Sequence, residues 1–533
     1  MAIGRPATMA LNGMVSTPHY LASQAGWRVL REGGNAVDAA IAANAVLNVV
    51  MPDNCSLGGD AFFMIWDPSK KEVVGLNGSG GAPEGVTADA VRSAGHDAMP
   101  ERGPWTITVP GAVEAWGKAL EQYGSRDLDY LLIDAIRYAA EGFPVTNSLH
   151  DAINTNRSML SADPSAAKQF LPGGNVPAPG SILRQPGLAA SFREIARGGP
   201  DAFYSGKIAT RMIRSLNKAG SPIALDDLSR QSSDWVAPIS SDYRGYTVYE
   251  MPPNTQGLTA LQMLNIAQGW DPATLPDASA EQIHHFVEAK KLAFVDRDRY
   301  VADPRFVEVP VEKLISSEYA DQLRGQISPT EAWVDASTTA GAGDTIYLCA
   351  FDRDGMAVSL IQSLFRGFGS GIVAGETGIV MQNRGASFSL DEEAANSLQP
   401  AKRPMHTLIP GMIFDGPLPW SVFGCMGGHG QAQTHLQLVT RMIDHGMNPQ
   451  EAIEAPRWVA GPDTAEDPVN LLKLEPEFGE DVADDLRSRG HEIRWTPSFS
   501  SAMGHAQAIR VNWEHGVLIG GADPRANGYA LGW

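Results

Sequence analysis

The sequence is poor in cysteine. Its 533 residues include three, at Cys55, Cys349 and Cys425. They lie too far apart for a CxxC metal or redox pair, and they are too few for a disulfide scaffold. A reduced, cytoplasmic location is therefore expected.

Basic residues and long apolar runs are also scarce. The chain has 41 Lys and Arg against 61 Asp and Glu, a formal net charge of −20 and a pI near 5.0. Binding to nucleic acid or anionic lipid needs clustered Lys and Arg, so neither is an expected partner. Nowhere do about 18 apolar residues follow one another, and the N-terminal stretch lacks the apolar run of a signal peptide. We expect no membrane span and no export signal.

Several common catalytic motifs are missing. No GxxxxGK[ST] phosphate loop occurs, and the Gly-rich stretches 78–81 and 367–371 lack the third glycine of GxGxxG. Their serines miss the GxSxG elbow by one place. His491-Glu492 is followed by Trp495 where HExxH needs its second His. These absences disfavour nucleotide binding, an α/β-hydrolase site and a zincin-type metal site.

The hydrophobic pattern of the sequence changes near residue 345. The length allows three or four ordinary domains or one large fold. Residues 316–344 lose periodicity and end in small, polar residues, which is typical of a mobile connector. Two apolar runs follow, joined at Arg353-Asp354-Gly355, where Asp-Gly predicts a two-residue hairpin. A strand is therefore expected to begin at Thr345.

A threonine at the start of a strand, directly after a flexible linker, is a candidate nucleophile. A Thr hydroxyl is weakly nucleophilic without a base beside it, and an N-terminal Thr can use its own amine. If the Asp344–Thr345 bond is cut, the new amine, with a reference pKa of about 7.7–8.0, is partly free base at neutral pH. The alternative is that Thr345 is simply a β-branched strand residue. Position alone does not decide between them.

A series of ordered segments, from near residue 30 to the last residue, carries a stronger signal. They are REGGNAVDAAIAANAVLNVVMP, LGGDAFFMIWD, VPGAVEAWGKALEQYG, AIRYAAEGFPVT, YRGYTVYEMPPNTQG, EAKKLAFVDRDRYVADPRF, GDTIYLCAFDRDGMAVS, FGSGIVAGETGIVMQNRG, KRPMHTLIPG, GCMGGHGQAQTHLQ, AIEAPRW and GADPRANGYALGW. Together they resemble the γ-glutamyltransferase family of the N-terminal nucleophile hydrolases. Ordered matching over nearly the whole chain is far more specific than a single motif.

The resemblance implies an α+β fold, the four-layer αββα sandwich. It also implies one precursor, cut between Asp344 and Thr345 into a large segment, 1–344, and a small catalytic segment, 345–533. The two segments would form a heterodimer, with further assembly left open. No metal and no organic cofactor is implied.

The resemblance also assigns catalytic roles. Thr345 matches the family nucleophile, and Ser363 matches a Thr whose hydroxyl supports the nucleophile's amine. Gly427 and Gly428 match the pair whose backbone N–H groups form the oxyanion hole. For these glycines the alternative is a plain strand-to-helix turn.

The substrate end of the site departs from the family pattern. No Arg lies between Lys71 and Arg92, where γ-glutamyl enzymes place one ahead of an Ala-Pro pair to bind the α-carboxylate. Ser387 stands where an Asp pairs with the α-ammonium. The remaining changes are Phe365 and Arg384 at the family's Asn and Gln positions, and His406-Thr407 in place of paired serines. These five positions, Phe365, Arg384, Ser387, His406 and Thr407, are predicted to bind substrate.

These departures predict the substrate class. Charge-assisted hydrogen bonds contribute about 1.5–3 kcal/mol each, so a site without both amino-acid partners is expected to bind glutathione poorly. Arg384 is suited to a bidentate carboxylate contact, with a structural salt bridge as its alternative. We expect an amidohydrolase for a small-molecule amide with a carboxylated acyl group, as in the family's oxamate hydrolase and cephalosporin acylase branches. A true γ-glutamyltransferase, and an unprocessed relative that binds a small anion without turnover, remain alternatives.

Overall fold

The computed structural model of the chain describes residues 4–334, 343–464 and 466–533. Its strands, in chain order, are β1 (Thr8–Ala10), β2 (Met14–Thr17), β3 (Asp60–Asp67), β4 (Glu72–Gly78), β5 (Phe143–Pro144), β6 (Ile182–Leu183), β7 (Asp234–Val236), β8 (Ile239–Tyr243), β9 (Tyr246–Glu250), β10 (Asp344–Phe351), β11 (Ala357–Phe365), β12 (Gly411–Asp415), β13 (Leu418–Cys425), β14 (Trp458–Ala460), β15 (Leu471–Leu474), β16 (Glu492–Trp495), β17 (Ala506–Asn512), β18 (Val517–Ala522) and β19 (Tyr529–Gly532).

The α-helices are α1 (Tyr20–Arg31), α2 (Ala36–Val50), α3 (Ala88–Ser93), α4 (Ala112–Tyr123), α5 (Leu128–Leu131), α6 (Ile133–Glu141), α7 (Asn147–Thr155), α8 (Arg157–Ala162), α9 (Pro164–Phe170), α10 (Pro186–Tyr204), α11 (Lys207–Lys218), α12 (Leu225–Ser229), α13 (Gly257–Ala267), α14 (Ala280–Tyr300), α15 (Val311–Leu314), α16 (Ser317–Arg324), α17 (Gln431–Ile443), α18 (Pro449–Glu454) and α19 (Glu480–Ser488). Within the described ranges, none of them is long and apolar enough to cross a bilayer.

Two antiparallel sheets of seven strands form the centre of the molecule. The first has the order β19-β2-β10-β11-β3-β4-β7, and the second has the order β1-β18-β17-β13-β12-β9-β8. Each sheet contains strands from both sides of the Asp344–Thr345 bond. Residues 1–344 and 345–533 are therefore interlaced in space rather than folded as separate bodies.

Three apolar cores join the layers. One lies between the sheets and includes Met14, Phe62 and Tyr347. A second joins the first sheet to α1, α2 and their neighbouring helices, and a third joins the other sheet to α13, α14 and α17. The order helix, sheet, sheet, helix confirms the four-layer αββα sandwich.

The pleat of β10 aims Thr345 into the space between the sheets. Ile346 and Leu348 belong to the core under the helices, whereas Tyr347 and Cys349 belong to the core between the sheets. Alternate residues of a strand face the same side, so Thr345 shares the face of Tyr347. It lies at the end of the strand, where this inner face meets the rim of the sandwich.

Two local predictions need correction. The segment 316–344 was expected to lack regular structure, but α16 occupies Ser317–Arg324 because the Ser316 side chain accepts the Tyr319 N–H and caps the helix. Residues 335–342 of that segment lie outside the described residues. The hairpin after β10 has three loop residues rather than two, since Asp352 N–H donates to the Met356 carbonyl and Gly355 takes a φ of 90°.

Candidate active site

Thr345 and Ser363 form the centre of the site. They stand opposite each other on β10 and β11. Thr345 Oγ1 donates to Ser363 Oγ at 3.0 Å, and Ser363 Oγ donates to the Asp344 carbonyl oxygen at 2.7 Å. The Phe365 N–H donates to the same Ser363 oxygen at 2.7 Å. A chain of hydroxyls therefore runs from the Thr345 side chain to the carbonyl of the bond that precedes it.

The Asp344–Thr345 bond lies at an irregularity of the sheet. The register shifts between these residues, so that Asp344 pairs with Phe365 while Thr345 pairs with Ser363. Gly343 then passes close to the Gly427-Gly428 turn. A Cβ on Gly343 would lie 2.9 Å from Gly428 Cα and 3.1 Å from the Phe365 carbonyl oxygen. In the uncut chain, Gly343 therefore fills the gap between Phe365 and Gly428.

The glycine turn that was predicted to form the oxyanion hole has a backbone that favours glycine. Gly427 has a φ of 141° and Gly428 a φ of 55°. Residues Gly428–Gly430 form a 3₁₀ turn and α17 begins at Gln431, so the pair precedes the helix rather than opening it. Gln256 Nε2 donates to the Gly428 carbonyl at 3.1 Å and to the Thr407 carbonyl at 3.0 Å. This side chain, missed in the sequence, fixes the orientation of the Gly428–His429 peptide.

Arg384 lies beside the Thr345–Ser363 pair. Its side chain is fully buried, with Nη1 3.3 Å from Thr407 Oγ1 and Nη2 3.5 Å from Ser363 Oγ. Its Cζ lies 4.1 Å from the ring centroid of Phe365. Burial lowers the pKa of Arg384 to about 9, so the guanidinium remains a cation at neutral pH. Three predicted substrate-binding residues, Phe365, Arg384 and Thr407, are thus brought together.

The other two predicted substrate-binding residues, His406 and Ser387, make hydrogen bonds within the protein, to Asp60 and to the Arg384 carbonyl respectively. His406 Nε2 lies 2.9 Å from Asp60 Oδ2, and both side chains are fully buried. His406 therefore packs behind the site rather than facing the cavity described below. Ser387 Oγ donates to the Arg384 carbonyl at 2.9 Å and closes the 3₁₀ turn that carries Arg384.

Asp60 was missed in the sequence although it heads a buried strand. Its Oδ1 accepts hydrogen bonds from the Gly80 and Gly111 N–H groups, at 3.2 and 3.0 Å, and from Gln382 Nε2 at 3.0 Å. Burial raises its pKa to about 7, against the hydrogen bonds and the charge of Arg384. The signal that could have found it is a carboxylate inside the apolar run LGGDAFF, since a buried carboxylate needs several partners.

A cavity of about 1030 Å³ lies next to this group. Phe365, Ser387, Met405 and His429 are among the residues that line it. Its wall carries more carboxylates than cations. The carboxylates are Asp97, Glu101, Asp298, Asp391, Asp463 and Asp467, and the cations are Arg297 and Arg366. Arg384 is not among the lining residues and lies against Phe365.

One group of side chains could in principle hold a metal. His284, Glu288 and His491 present their ligand atoms within 4.8 Å of one another. Lys291 Nζ, however, lies 2.7 Å from Glu288 Oε1, and the Trp333 N–H donates to Glu288 Oε2 at 2.9 Å. The carboxylate charge is therefore already met by an ammonium, and the group shares no residue with the Thr345 site.

The sequence and the fold are similar to those of known proteins. The Gamma-glutamyltranspeptidase family profile matches residues 22–533. The Glutathione hydrolase-like YwrD proenzyme of Bacillus subtilis is 44% identical, over 97% of this chain and 98% of that protein. The Oxamate amidohydrolase proenzyme of Klebsiella pneumoniae is 40% identical, over 99% of each. The crystal structure of cephalosporin acylase from Bacillus halodurans is similar with a TM-score of 0.91 at 40% identity, covering 99% of this chain and 97% of that one.

Proposed function

Since this chain belongs to the gamma-glutamyltranspeptidase family of enzymes, we propose that it is a proenzyme that cuts its own Asp344–Thr345 bond and then cleaves amides through an acyl-threonine intermediate. The observation that carries the proposal is the hydroxyl chain from Thr345 through Ser363 to the Asp344 carbonyl. It joins the nucleophile to the Asp344 carbonyl oxygen, and a hydrogen bond to that oxygen makes the carbonyl carbon more electrophilic. The word proenzyme in the names of the relatives agrees with this proposal.

Self-cleavage follows from that geometry in two steps. The Thr345 oxygen attacks the Asp344 carbonyl carbon, and its proton passes through Ser363 toward the carbonyl oxygen. The carbonyl then re-forms as the C–N bond breaks and the nitrogen takes up that proton, which leaves an ester between Asp344 and the Thr345 side chain and a free Thr345 amine. Water hydrolyses the ester to the Asp344 carboxylate and the Thr345 hydroxyl.

Turnover uses the groups that cleavage creates. The free amine of Thr345 accepts the proton of its own hydroxyl while the oxygen attacks the substrate amide carbonyl. The Gly427 and Gly428 N–H groups hold the negative oxygen, and the amine leaves with the transferred proton. Water, or an acceptor amine, then resolves the acyl-threonine ester.

The position of Arg384 favours a substrate whose acyl group is short and carries a carboxylate. Its Nη2 lies 3.5 Å from Ser363 Oγ, which is itself 3.0 Å from Thr345 Oγ1. A carboxylate bound by Arg384 therefore lies close to the carbonyl that Thr345 attacks. An oxalyl amide meets this condition, because its carboxylate carbon is bonded directly to its amide carbonyl carbon. The 40% identical oxamate amidohydrolase fits this class.

A second candidate is hydrolysis or transfer of γ-glutamyl groups. The name of the 44% identical relative, glutathione hydrolase-like, favours it. Against it stand the missing Arg ahead of Ala82-Pro83 and the Ser at position 387. The third possibility is an unprocessed relative that binds a small anion without turnover, and experiments must distinguish it from the two catalytic candidates.

Denaturing electrophoresis tests the cleavage. The 57.0 kDa chain, cut after residue 344, should give pieces of roughly 37 and 20 kDa, and the smaller should begin Thr-Ile-Tyr-Leu. Thr345→Ala should stay whole and inactive. If Thr345→Ala is still cut at this bond or still turns over substrate, the nucleophile assignment is wrong.

The substrate class is tested by kcat/KM on three amides measured side by side, namely oxamate, a glutaryl amide and γ-glutamyl anilide. We expect oxamate to lead. A tenfold or greater preference for the γ-glutamyl donor supports the second candidate and rejects the amidohydrolase proposal. A single uncut band without turnover of any of the three supports the non-catalytic alternative.

A further inference from the structure

His429, which follows the glycine turn, is held in one tautomer. Its Nδ1 lies 3.0 Å from Nη1 of Arg297. A guanidinium can only donate hydrogen bonds, so Nδ1 is the acceptor and the proton of the neutral ring is on Nε2. The ring lines the large cavity. It therefore offers that cavity an N–H donor.

The network that holds His429 also holds the glycine turn. Arg297 is buried on α14, with its Cζ 3.9 Å from the Phe294 ring and its Nη1 3.3 Å from Gln256 Oε1. Gln256 in turn donates to the Gly428 carbonyl. One rigid pair of side chains thus positions the His429 ring and the peptide that precedes it.

The charges around His429 keep its ring neutral. They are the cations Arg297 and Lys290 of α14, Arg384, and Arg366 after β11. Burial first, and then these cations, lower its pKa well below the ordinary value for histidine. A neutral donor suits a carbonyl oxygen.

Phe365 contacts both Arg384 and His429. Its ring centroid lies 4.1 Å from Arg384 Cζ, and it meets the His429 ring edge-on, with ring centroids 6.5 Å apart. If Arg384 binds the acyl carboxylate, the amine part of the substrate extends to the His429 side, into the cavity.

We propose that His429 is a specificity-determining residue whose Nε2–H binds a carbonyl oxygen on the amine part of the substrate. The inference rests on the proposed function, since it takes the acyl end from Arg384. It narrows the substrate class to amides whose leaving amine carries its own carbonyl, as an amino-acid amide does.

The test compares three substrates that share the oxalyl group and differ in the amine. Oxamate releases ammonia, N-propyl oxamate releases an amine without oxygen, and N-oxalyl-glycinamide releases an amine with an uncharged carbonyl. His429→Leu should lower kcat/KM for N-oxalyl-glycinamide about tenfold, because one hydrogen bond to substrate is lost. The other two substrates should change less than twofold.

His429→Gln is the matched control, since its side-chain amide places an N–H near the position of Nε2. It should restore most of the activity on N-oxalyl-glycinamide. The extent of self-cleavage and circular dichroism of each variant report on folding.

Each remaining outcome counts against the inference. An equal loss on all three substrates assigns His429 to the oxyanion turn or to folding, and no loss on any excludes the contact, while the proposed function stands in both cases. A wild-type protein that hydrolyses none of the three rejects the oxalyl acyl group and this inference with it, whereas the self-cleavage test of the proposed function is unaffected.

Discussion

Gly428 combines a left-handed backbone with a position close to the residue that precedes β10. Its φ of 55° is strained for a branched side chain, and a Cβ built on Gly343 would lie 2.9 Å from Gly428 Cα. Gly428→Val should rotate the amide out of place, and loss of one oxyanion donor typically lowers kcat about 10²–10³-fold. The measurement is kcat per mole of cut protein.

Gly430 provides the control for this prediction. It has a φ of −70°, and a Cβ there would meet Val459 at an ordinary 3.7 Å. Gly430→Ala should therefore keep near-normal kcat. A Gly428→Val protein that folds and retains the wild-type rate removes the turn from the mechanism.

Arg384 is expected to act mainly in substrate binding. Arg384→Ala should raise KM for oxamate by about 10–100-fold and lower kcat less, since a lost charged contact of about 1.5–3 kcal/mol is shared by ground and transition states. An acetyl amide, which lacks the carboxylate, is the comparison substrate. If the KM for both amides rises equally, Arg384 supports the fold around Ser363 rather than the substrate.

At the scale of elements, a buried ion network fastens β18 to the start of β14. Asp523 lies 2.6 Å from Arg457 Nη2 and 3.2 Å from Arg525 Nη1, and Arg525 also pairs with Glu475. All four side chains are fully buried. Asp523→Ala should reduce the free energy of unfolding by about 3–5 kcal/mol, because it leaves buried cations without a partner.

Arg487, whose side chain is 41% exposed and pairs with Glu480 and Asp484 on α19, is the matched surface control. Arg487→Ala should change the free energy of unfolding by less than about 1 kcal/mol. Urea titration of both variants in the uncut Thr345→Ala background measures the difference. Equal effects would show that burial does not determine how much the Asp523 ion network contributes to the free energy of unfolding.

At the scale of the whole molecule, the interlaced sheets determine how the cut protein behaves. Residues on both sides of Asp344–Thr345 supply strands to each sheet, so neither segment can complete a sheet alone. Cut protein should elute from native gel filtration as one species that contains both pieces. After separation in denaturant, either piece alone should fail to regain a cooperative unfolding transition. An isolated segment that refolds cooperatively contradicts this prediction.

The stability of the uncut molecule should also depend on pH through Asp53. Burial, and then the neighbouring Asp344, raise the pKa of Asp53 from 3.8 to about 7. Between these values the folded chain holds a proton that the unfolded chain has released, so stability falls as pH rises through this window. Asp53→Asn cannot ionise and avoids that loss.

The measurement is the free energy of unfolding of Asp53→Asn against its parent, both carrying Thr345→Ala, at several pH values. The variant should be more stable by about 1–3 kcal/mol at pH 8, and its advantage should vanish near pH 4. An advantage that does not change with pH would assign the effect to packing.

Features that depend on local order could be predicted from the amino-acid sequence alone. Thr345 could be placed at the start of a strand because apolar alternation and the turn residues after it are short-range signals. The four-layer fold could be expected from segments whose order resembles one family, and the profile match over residues 22–533 confirms the resemblance. The helix at Ser317–Arg324 was missed because its cap is a single serine in a stretch of weak periodicity.

Contacts between side chains that are distant in the sequence could not be predicted in this way. Asp60 reaches His406 across 346 positions, and Arg297 reaches His429 across 132. Such contacts depend on sheet register and on which face of a strand or helix is buried. A register slip of one residue would turn the side chains of a strand to the opposite face and break these contacts. The sequence therefore predicted Thr345 as the nucleophile and indicated the family, while the arrangement of Arg384, His406 and His429 near Thr345 followed from the packing of the two sheets.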